Sequence, residues 1–211
     1  MGDPTFDAFF SASVSFIANT TLQESGVQAA GAKLLDKIGK PAVIFGHSQG
    51  GPLPLLIADA RPGLAAGLVL LEPSGPPFQE VIFTNVSARP FGVSTVPLTF
   101  SPAVHQPSDF KTVVHPAPNE NRTQCILQAD SPAPRQLVNF GSKPILVVSS
   151  ESSYHAMYDY CSVNFLRQAG CKQVQHLELG EAGIHGNGHM FFMEKNNLEI
   201  AKRVEEWISK L

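Results

Sequence analysis

Basic charge is the first thing the sequence lacks. Fifteen Lys and Arg stand against eighteen Asp and Glu, a formal net charge of -3, so no positive field exists to draw in nucleic acid or an anionic lipid surface. Long apolar runs are also missing: none reaches the roughly 18 residues of a membrane span. The opening stretch "MGDPTFDAFF" lacks the basic, then apolar, then small-residue order of a signal peptide. Cysteine is scarce. Cys125, Cys161 and Cys171 are too few for a disulfide framework and match no zinc spacing, which leaves room for one bridge. As written, the chain is expected to be soluble and untargeted, with no nucleic-acid, membrane or metal partner.

Low charge also points outward. Charged residues make up 16% of the chain, and three Asn-x-Ser/Thr sequons occur at Asn19, Asn85 and Asn121. A sequon has meaning only on the secretory route, although chance alone supplies about one in a chain of this length. Localisation stays open, with secretion expected if an upstream segment precedes Met1.

What is present is a core. With 211 residues, 43% of them hydrophobic, one domain is the expectation over 1–211. The spacing predicts a helix from about Thr21 to Ile38, with Thr21 and Glu24 as a capping box, Val27, Ala30, Leu34, Leu35 and Ile38 on its apolar face, and Gly39 and Pro41 as the stop. "AVIFG" reads as a buried strand, "LLIADA" as a helix and "GLVLLE" as a second strand. Strand, helix and strand at this separation make a parallel right-handed crossover.

Between Pro73 and Pro144 the periodicity fails and twelve of the seventeen prolines gather. A stretch of this length without clear elements covers a site or moves. Order returns with "PILVVSS", a helix from about His155 to Gln168, the strand "VQHLEL", a glycine-rich loop, and a last helix over about Asn197 to Lys210 with Leu198, Ala201, Val204, Ile208 and Leu211 on one face. Alternating strands and helices of this kind specify a three-layer αβα sandwich around a mainly parallel sheet, with an insertion over about 73–143.

"GHSQG", residues 46–50, fits the G-x-S-x-G nucleophile elbow, in which a serine sits on a strained turn between strand and helix. Glycines at minus two and plus two, Gly46 and Gly50, let the chains pass. The backbone N–H of Gln49 is the expected oxyanion donor. A serine needs a base. Of seven histidines, His185 and His189 share the glycine-rich loop at a strand exit, while His47 lies in the elbow itself and is expected to support it. Gly186 and Gly188 disfavour the helix that would align His185 and His189 on a metal.

The third member must be a carboxylate that orients the imidazole. Glu72 directly follows "GLVLL"; Glu151, just past "PILVVSS", is its rival, and Asp159 a weaker third. Glu72 is favoured because an acid at the end of a buried strand, turned away by "PSGPP", makes a poor surface charge. The insertion brings Phe78, Phe83, Phe91 and Phe100, expected either to line an acyl pocket or, more in keeping with aromatics in an insert, to form a small core of their own.

Taken together, "IFGHSQGG", "LVLLEPSGPPF", "PILVVSSESSYHAMYDYC" and "GIHGNGHMFFMEKNN" resemble the α/β-hydrolase superfamily, and within it an esterase-like branch whose acid is a glutamate after the strand following the elbow. The resemblance implies Ser48 as nucleophile, His189 as base, Glu72 as acid, His47 and His185 as supporting neighbours, and residues from about 73 as a cap. It implies hydrolysis of a small-molecule carboxylic ester through an acyl-enzyme, with no cofactor.

The superfamily places four strands before the elbow strand. Here the residues before Ala42 hold one helix and no strand pair, and "GDPTFDAFF" reads as a loop within a domain. The front of the sheet is therefore expected to be absent, the strand at 42–46 to present an open edge, and homo-oligomers to form through it. The competing expectation is an impaired or inactive hydrolase fragment that binds an apolar ligand or self-associates.

Overall fold

The computed structural model describes residues 2–211. In chain order its helices and strands are α1 (Pro4–Ser11), α2 (Thr20–Ile38), β1 (Ala42–His47), α3 (Leu53–Ala60), β2 (Ala65–Leu71), β3 (Phe100–Ser101), β4 (Thr112–His115), β5 (Cys125–Gln128), β6 (Gln136–Leu137), β7 (Ile145–Ser149), α4 (Asp159–Gln168), β8 (Val174–Glu178) and α5 (Asn197–Ile208). Strands β1, β2, β7 and β8 form a parallel sheet in that spatial order.

Alternation along the strands builds the layers. Leu68 and Leu70 of β2, with Ile145 and Val147 of β7, face α3 and α4 through Leu55, Leu56, Phe165 and Leu166. Their neighbours Val69, Leu146 and Val148 point the other way, onto Ile200, Val204 and Trp207 of α5. Side chains of a strand alternate between faces, so one buried apolar run supplies two cores. The result is an α/β fold with helices on both faces of a parallel sheet.

Several helices differ in detail from the sequence expectation. Helix α2 is capped by Asn19, whose side chain accepts from the Leu22 N–H, and not by a Thr21–Glu24 box. Glu24 is buried and accepts from the N–H groups of Thr95 and Val96. The buried face of α2 runs through Glu24, Ala32 and Leu35, leaving Leu34 and Ile38 exposed. In α5 the buried residues are Ile200, Val204 and Trp207, while Leu198 is exposed. Both faces are rotated because packing against a specific neighbour, not apolar count, selects the stripe. The helix expected from His155 is interrupted: a 3₁₀ turn over Tyr154–Met157 precedes α4. The N-terminal stretch read as a loop is α1, capped by Asp3.

Residues 73–143 carry two small antiparallel pairs, β3 with β6 and β4 with β5. Their aromatic residues join the main core: Phe78 lies edge-on to Phe110 and to Phe165 of α4, with centroids 5.4 and 5.6 Å apart, and Phe100 is buried against Phe110. Phe83 is exposed. Phe78, Phe91 and Phe100 therefore belong with the main core and do not form a separate one in the insertion. A disulfide between Cys125 and Cys161 ties β5 to α4.

Among the described residues, β1 pairs with a strand on one side only. It is half-buried, with Phe45 51% exposed, where the sequence reading expected a fully buried strand.

Candidate active site

Three strand ends meet at one rim of the sheet. At the first, β1 stops at His47 and the chain turns through a single 3₁₀ turn, Ser48–Gly50, before α3. Ser48 has φ = 55°, a left-handed conformation that costs a non-glycine residue on the order of 1–3 kcal/mol and persists only where its surroundings enforce it. The enforcement is visible: the Ser48 carbonyl accepts from the N–H groups of Gly51 (2.8 Å) and Ser74 (2.9 Å), tying the turn to the exit of β2.

Glycine is needed here at two positions, and one is not where the motif puts it. A Cβ on Gly46 would lie 2.7 Å from Pro54 Cδ, and one on Gly51 would lie 2.6 Å from Pro73 Cβ. A Cβ on Gly50 would find its nearest neighbour, Leu53 Cδ1, at 4.0 Å. The close approach after the serine thus falls on Gly51, because the chain leaving β2 passes one residue further along than the plus-two rule assumes.

The second strand end carries Glu72. It follows β2, is fully buried, and also has positive φ, 43°. Its Oε1 accepts from the Ser150 N–H (2.7 Å), and its Oε2 from the Ser153 hydroxyl (2.7 Å) and from His189 Nδ1–H (2.5 Å). A buried carboxylate is costly unless such donors surround it. With Nδ1 committed to Glu72, His189 Nε2 is free to accept from the Ser48 hydroxyl at 2.9 Å. Hydroxyl, imidazole and carboxylate form one continuous hydrogen-bonded line.

His189 sits in the loop after β8, wedged among aromatic rings. His47 Nε2 donates to the His189 carbonyl at 3.1 Å, with the two rings 4.5 Å apart. Burial lowers the pKa of His47, which keeps that ring neutral. On the other side the His155 ring lies parallel to that of His189, centroids 4.7 Å apart and planes 2° from coplanar.

The rival residues lie elsewhere. Glu151 is in the loop after β7, but its carboxylate accepts from the Gly186 N–H (2.9 Å) and from His185 Nδ1 (3.0 Å) in solvent, and the Gly186 bond holds its pKa below the usual carboxylate range. His185, expected beside the triad, is 65% exposed and directed to Glu151. Gly186 and Gly188 turn the loop between them, so His185 and His189 end in different environments. Asp159 opens α4, fully buried, and bonds His155, not His189. Gln49 follows Ser48 in the turn, its side chain donating to Gln23 at 3.2 Å. Ser150, Ser153 and His155 were not anticipated; the available signal was a polar run, "SSESSYH", placed directly after a buried strand.

Donor atoms of Glu72, His155 and His189 lie within 4.8 Å of one another. Each is already hydrogen-bonded: His189 to Glu72 and Ser48, His155 to Asp159 and Tyr158. These bonds join the cluster into one hydrogen-bonded network.

Nearly the whole sequence matches a known pattern: residues 2–203 fit the alpha/beta hydrolase family. The chain belongs to that family. A protein named "Probable secreted lipase phiG", from Fungal sp. (strain ATCC 74256), is 46% identical to this alpha/beta hydrolase over all 211 residues. The chain spans 57% of that relative's length. Among solved structures, one described as "The Atomic Resolution Structure of a Novel Bacterial Esterase" aligns with 87% of this chain and 42% of its own, at 21% identity and a TM-score of 0.52, a likeness of fold. No helix among the described residues is long and apolar enough to cross a membrane.

Proposed function

We propose that this alpha/beta hydrolase cleaves carboxylic esters with Ser48 as nucleophile, His189 as general base and acid, and Glu72 as the orienting carboxylate. The observation that supports it is the unbroken line Ser48 Oγ, His189, Glu72, drawn from residues 141 and 117 positions apart in sequence. Ser48 Oγ attacks the carbonyl carbon while its proton passes to His189 Nε2. Glu72 stabilises the imidazolium without taking the proton. The Gln49 backbone N–H is assigned to the oxyanion. The alcohol leaves with the proton from His189; water, deprotonated by the same nitrogen, then attacks the acyl carbon, and the bond to Ser48 Oγ breaks as His189 returns that proton to the serine oxygen and the acid departs.

A cleft of about 430 Å³ opens beside the elbow, lined by Gln49, Ser74, Glu24, Glu80 and Arg89 among others, and the insertion 73–143, which supplies Glu80 and Arg89, serves as its cap. The name of the fungal relative supports a lipase or esterase assignment. It also supports secretion, as do the disulfide, a feature of oxidising compartments, and the exposed positions of Asn19, Asn85 and Asn121. A fluorophosphonate probe should modify Ser48 in the folded protein, and Ser48→Ala should abolish hydrolysis of a short p-nitrophenyl ester. Folded protein whose Ser48 stays unmodified would end this reading.

A second role, association through β1, rests on a separate observation. Beside the open edge lies an apolar groove of about 320 Å³ lined by Phe45, Leu71, Phe192, Ile200 and Val204. Sedimentation velocity at increasing concentration tests it; a monomer at all concentrations excludes self-association.

A further inference from the structure

Behind His189 lies a buried polar chain that the proposed mechanism does not use. It runs from His176 in β8 through Ser149 at the end of β7 to Asp159 and His155, and it stops at the ring stacked on His189. The contacts are His176 Nε2 to Ser149 Oγ (2.9 Å), Ser149 Oγ to Asp159 Oδ2 (2.5 Å), His155 Nδ1 to Asp159 Oδ1 (3.0 Å) and Tyr158 OH to His155 Nε2 (3.2 Å).

Tyr158 is buried, and burial raises its pKa, so it keeps its proton. Its hydroxyl meets His155 Nε2. A neutral His155 with its one proton on Nδ1 accepts there and donates to Asp159. From the other side, Ser149 donates its single proton to Asp159 and must accept from His176 Nε2–H. Both chains of donors end on Asp159. It is the acceptor of the network.

We propose that His155 is a positioning residue for His189: its neutral ring supports the His189 ring face to face and, with the Asp159 carboxylate bonded at its edge, favours the imidazolium that forms as Ser48 attacks. A cation prefers the face of an electron-rich ring to water-excluded apolar packing. The Asp159 carboxylate, hydrogen-bonded to Nδ1 at the edge of that ring, adds favourable charge at a site of low dielectric. The groups facing His189 are Glu72 at the end of β2, His47 at the end of β1, and Tyr154 and His155 from the loop after β7. Glu72 supplies charge in the plane of the His189 ring; Asp159 supplies it from the edge of the ring stacked on its face. The same loop delivers both, since Ser153 donates to Glu72 and its oxygen accepts from the His155 N–H.

This inference rests on reading His189 as the base, and its test separates the two. The pH profile of Ser48 phosphonylation by a fluorophosphonate is measured for the wild type and for Asp159→Asn, which keeps the carboxylate's shape and its acceptor for His155. Removing the negative charge should move the acid limb, where His189 is protonated, to lower pH by up to about 0.5 to 1 unit, the difference shrinking below about pH 6, where Asp159 itself takes up a proton. An unchanged limb in folded, labelled Asp159→Asn overturns the proposal and leaves the triad standing. A wild type that never labels overturns both. Where Asp159→Asn does not fold, histidine-ring NMR of the wild type decides: a neutral His155 protonated on Nδ1 at pH 7 supports the proposal, and a doubly protonated His155 refutes it.

Discussion

Alanine at Gly50 and alanine at Gly51 should have opposite effects, although a motif reading would protect the first and ignore the second. At Gly51 the new methyl carbon would lie 2.6 Å from Pro73 Cβ and 2.9 Å from the Ser48 carbonyl oxygen. Neither neighbour is the free end of a flexible side chain: Pro73 is a ring, and the carbonyl belongs to the elbow. Overpacking of this kind costs about 1–3 kcal/mol, which in a domain of this size lowers Tm by roughly 2–12 °C. The displaced Ser48 carbonyl would also disturb the serine's strained φ, so phosphonylation of Ser48 should slow as well. At Gly50 the methyl carbon meets nothing nearer than 4.0 Å. Glycine to alanine at such a site stabilises by about 0.4–1 kcal/mol through the unfolded chain, or roughly 1–4 °C. Thermal melts of the two variants, followed by fluorophosphonate labelling, provide the comparison. If Gly50→Ala loses as much stability as Gly51→Ala, the steric argument from the close approach at Pro73 is wrong.

Three further outcomes are expected. Glu72→Gln should lower kcat by about 10⁴ because an amide cannot hold His189 in the required tautomer, whereas Glu151→Gln, altering only a solvated pair, should leave kcat within about twofold; steady-state kinetics on a short ester separates them. Burial pushes His176 down from its ordinary 6.5 to about 4. The unfolded chain therefore binds a proton in that range that the folded chain does not, so this residue's stability contribution is lost as pH falls from 6.5; Asp159, pushed up to about 6 by burial, acts in the opposite sense. His176→Gln should gain about 1–2 kcal/mol relative to wild type between pH 7 and pH 5, read from urea midpoints, and an equal difference at both pH values would contradict it. Replacing Cys125 and Cys161 by serine opens a loop of 36 residues' separation and should cost about 4 kcal/mol of stability, seen as a lower urea midpoint.

Legibility in the sequence followed the range of the interaction. Strand positions were readable because "GLVLL" and "PILVV" are continuous apolar runs, and a run buried on both sides needs no partner to declare itself. The elbow was readable for a similar reason: turn, strand and helix are adjacent in sequence. Helix faces were not. Leu34 and Leu198 satisfy helical periodicity yet point to solvent, since the side of a helix that is buried depends on the surface it meets. The cap at Asn19 was missed because Glu24, the expected capping partner, is drawn 71 residues away to the backbone of Thr95.

By itself the sequence determined the α/β order, the parallel crossover, the serine between strand and helix, and the short set of acids and histidines from which a triad could be drawn. It favoured Glu72 over Glu151 from the buried strand end and the turn that follows it. How each carboxylate is surrounded only the tertiary structure decided: the β2 exit is roofed by Ser150 and Ser153, which solvate a buried carboxylate beside His189, while the β7 exit leaves Glu151 in water with His185. The stacked His155 and its line to His176 belong wholly to the folded chain, since parallel strand ends bring together groups that no local spacing relates.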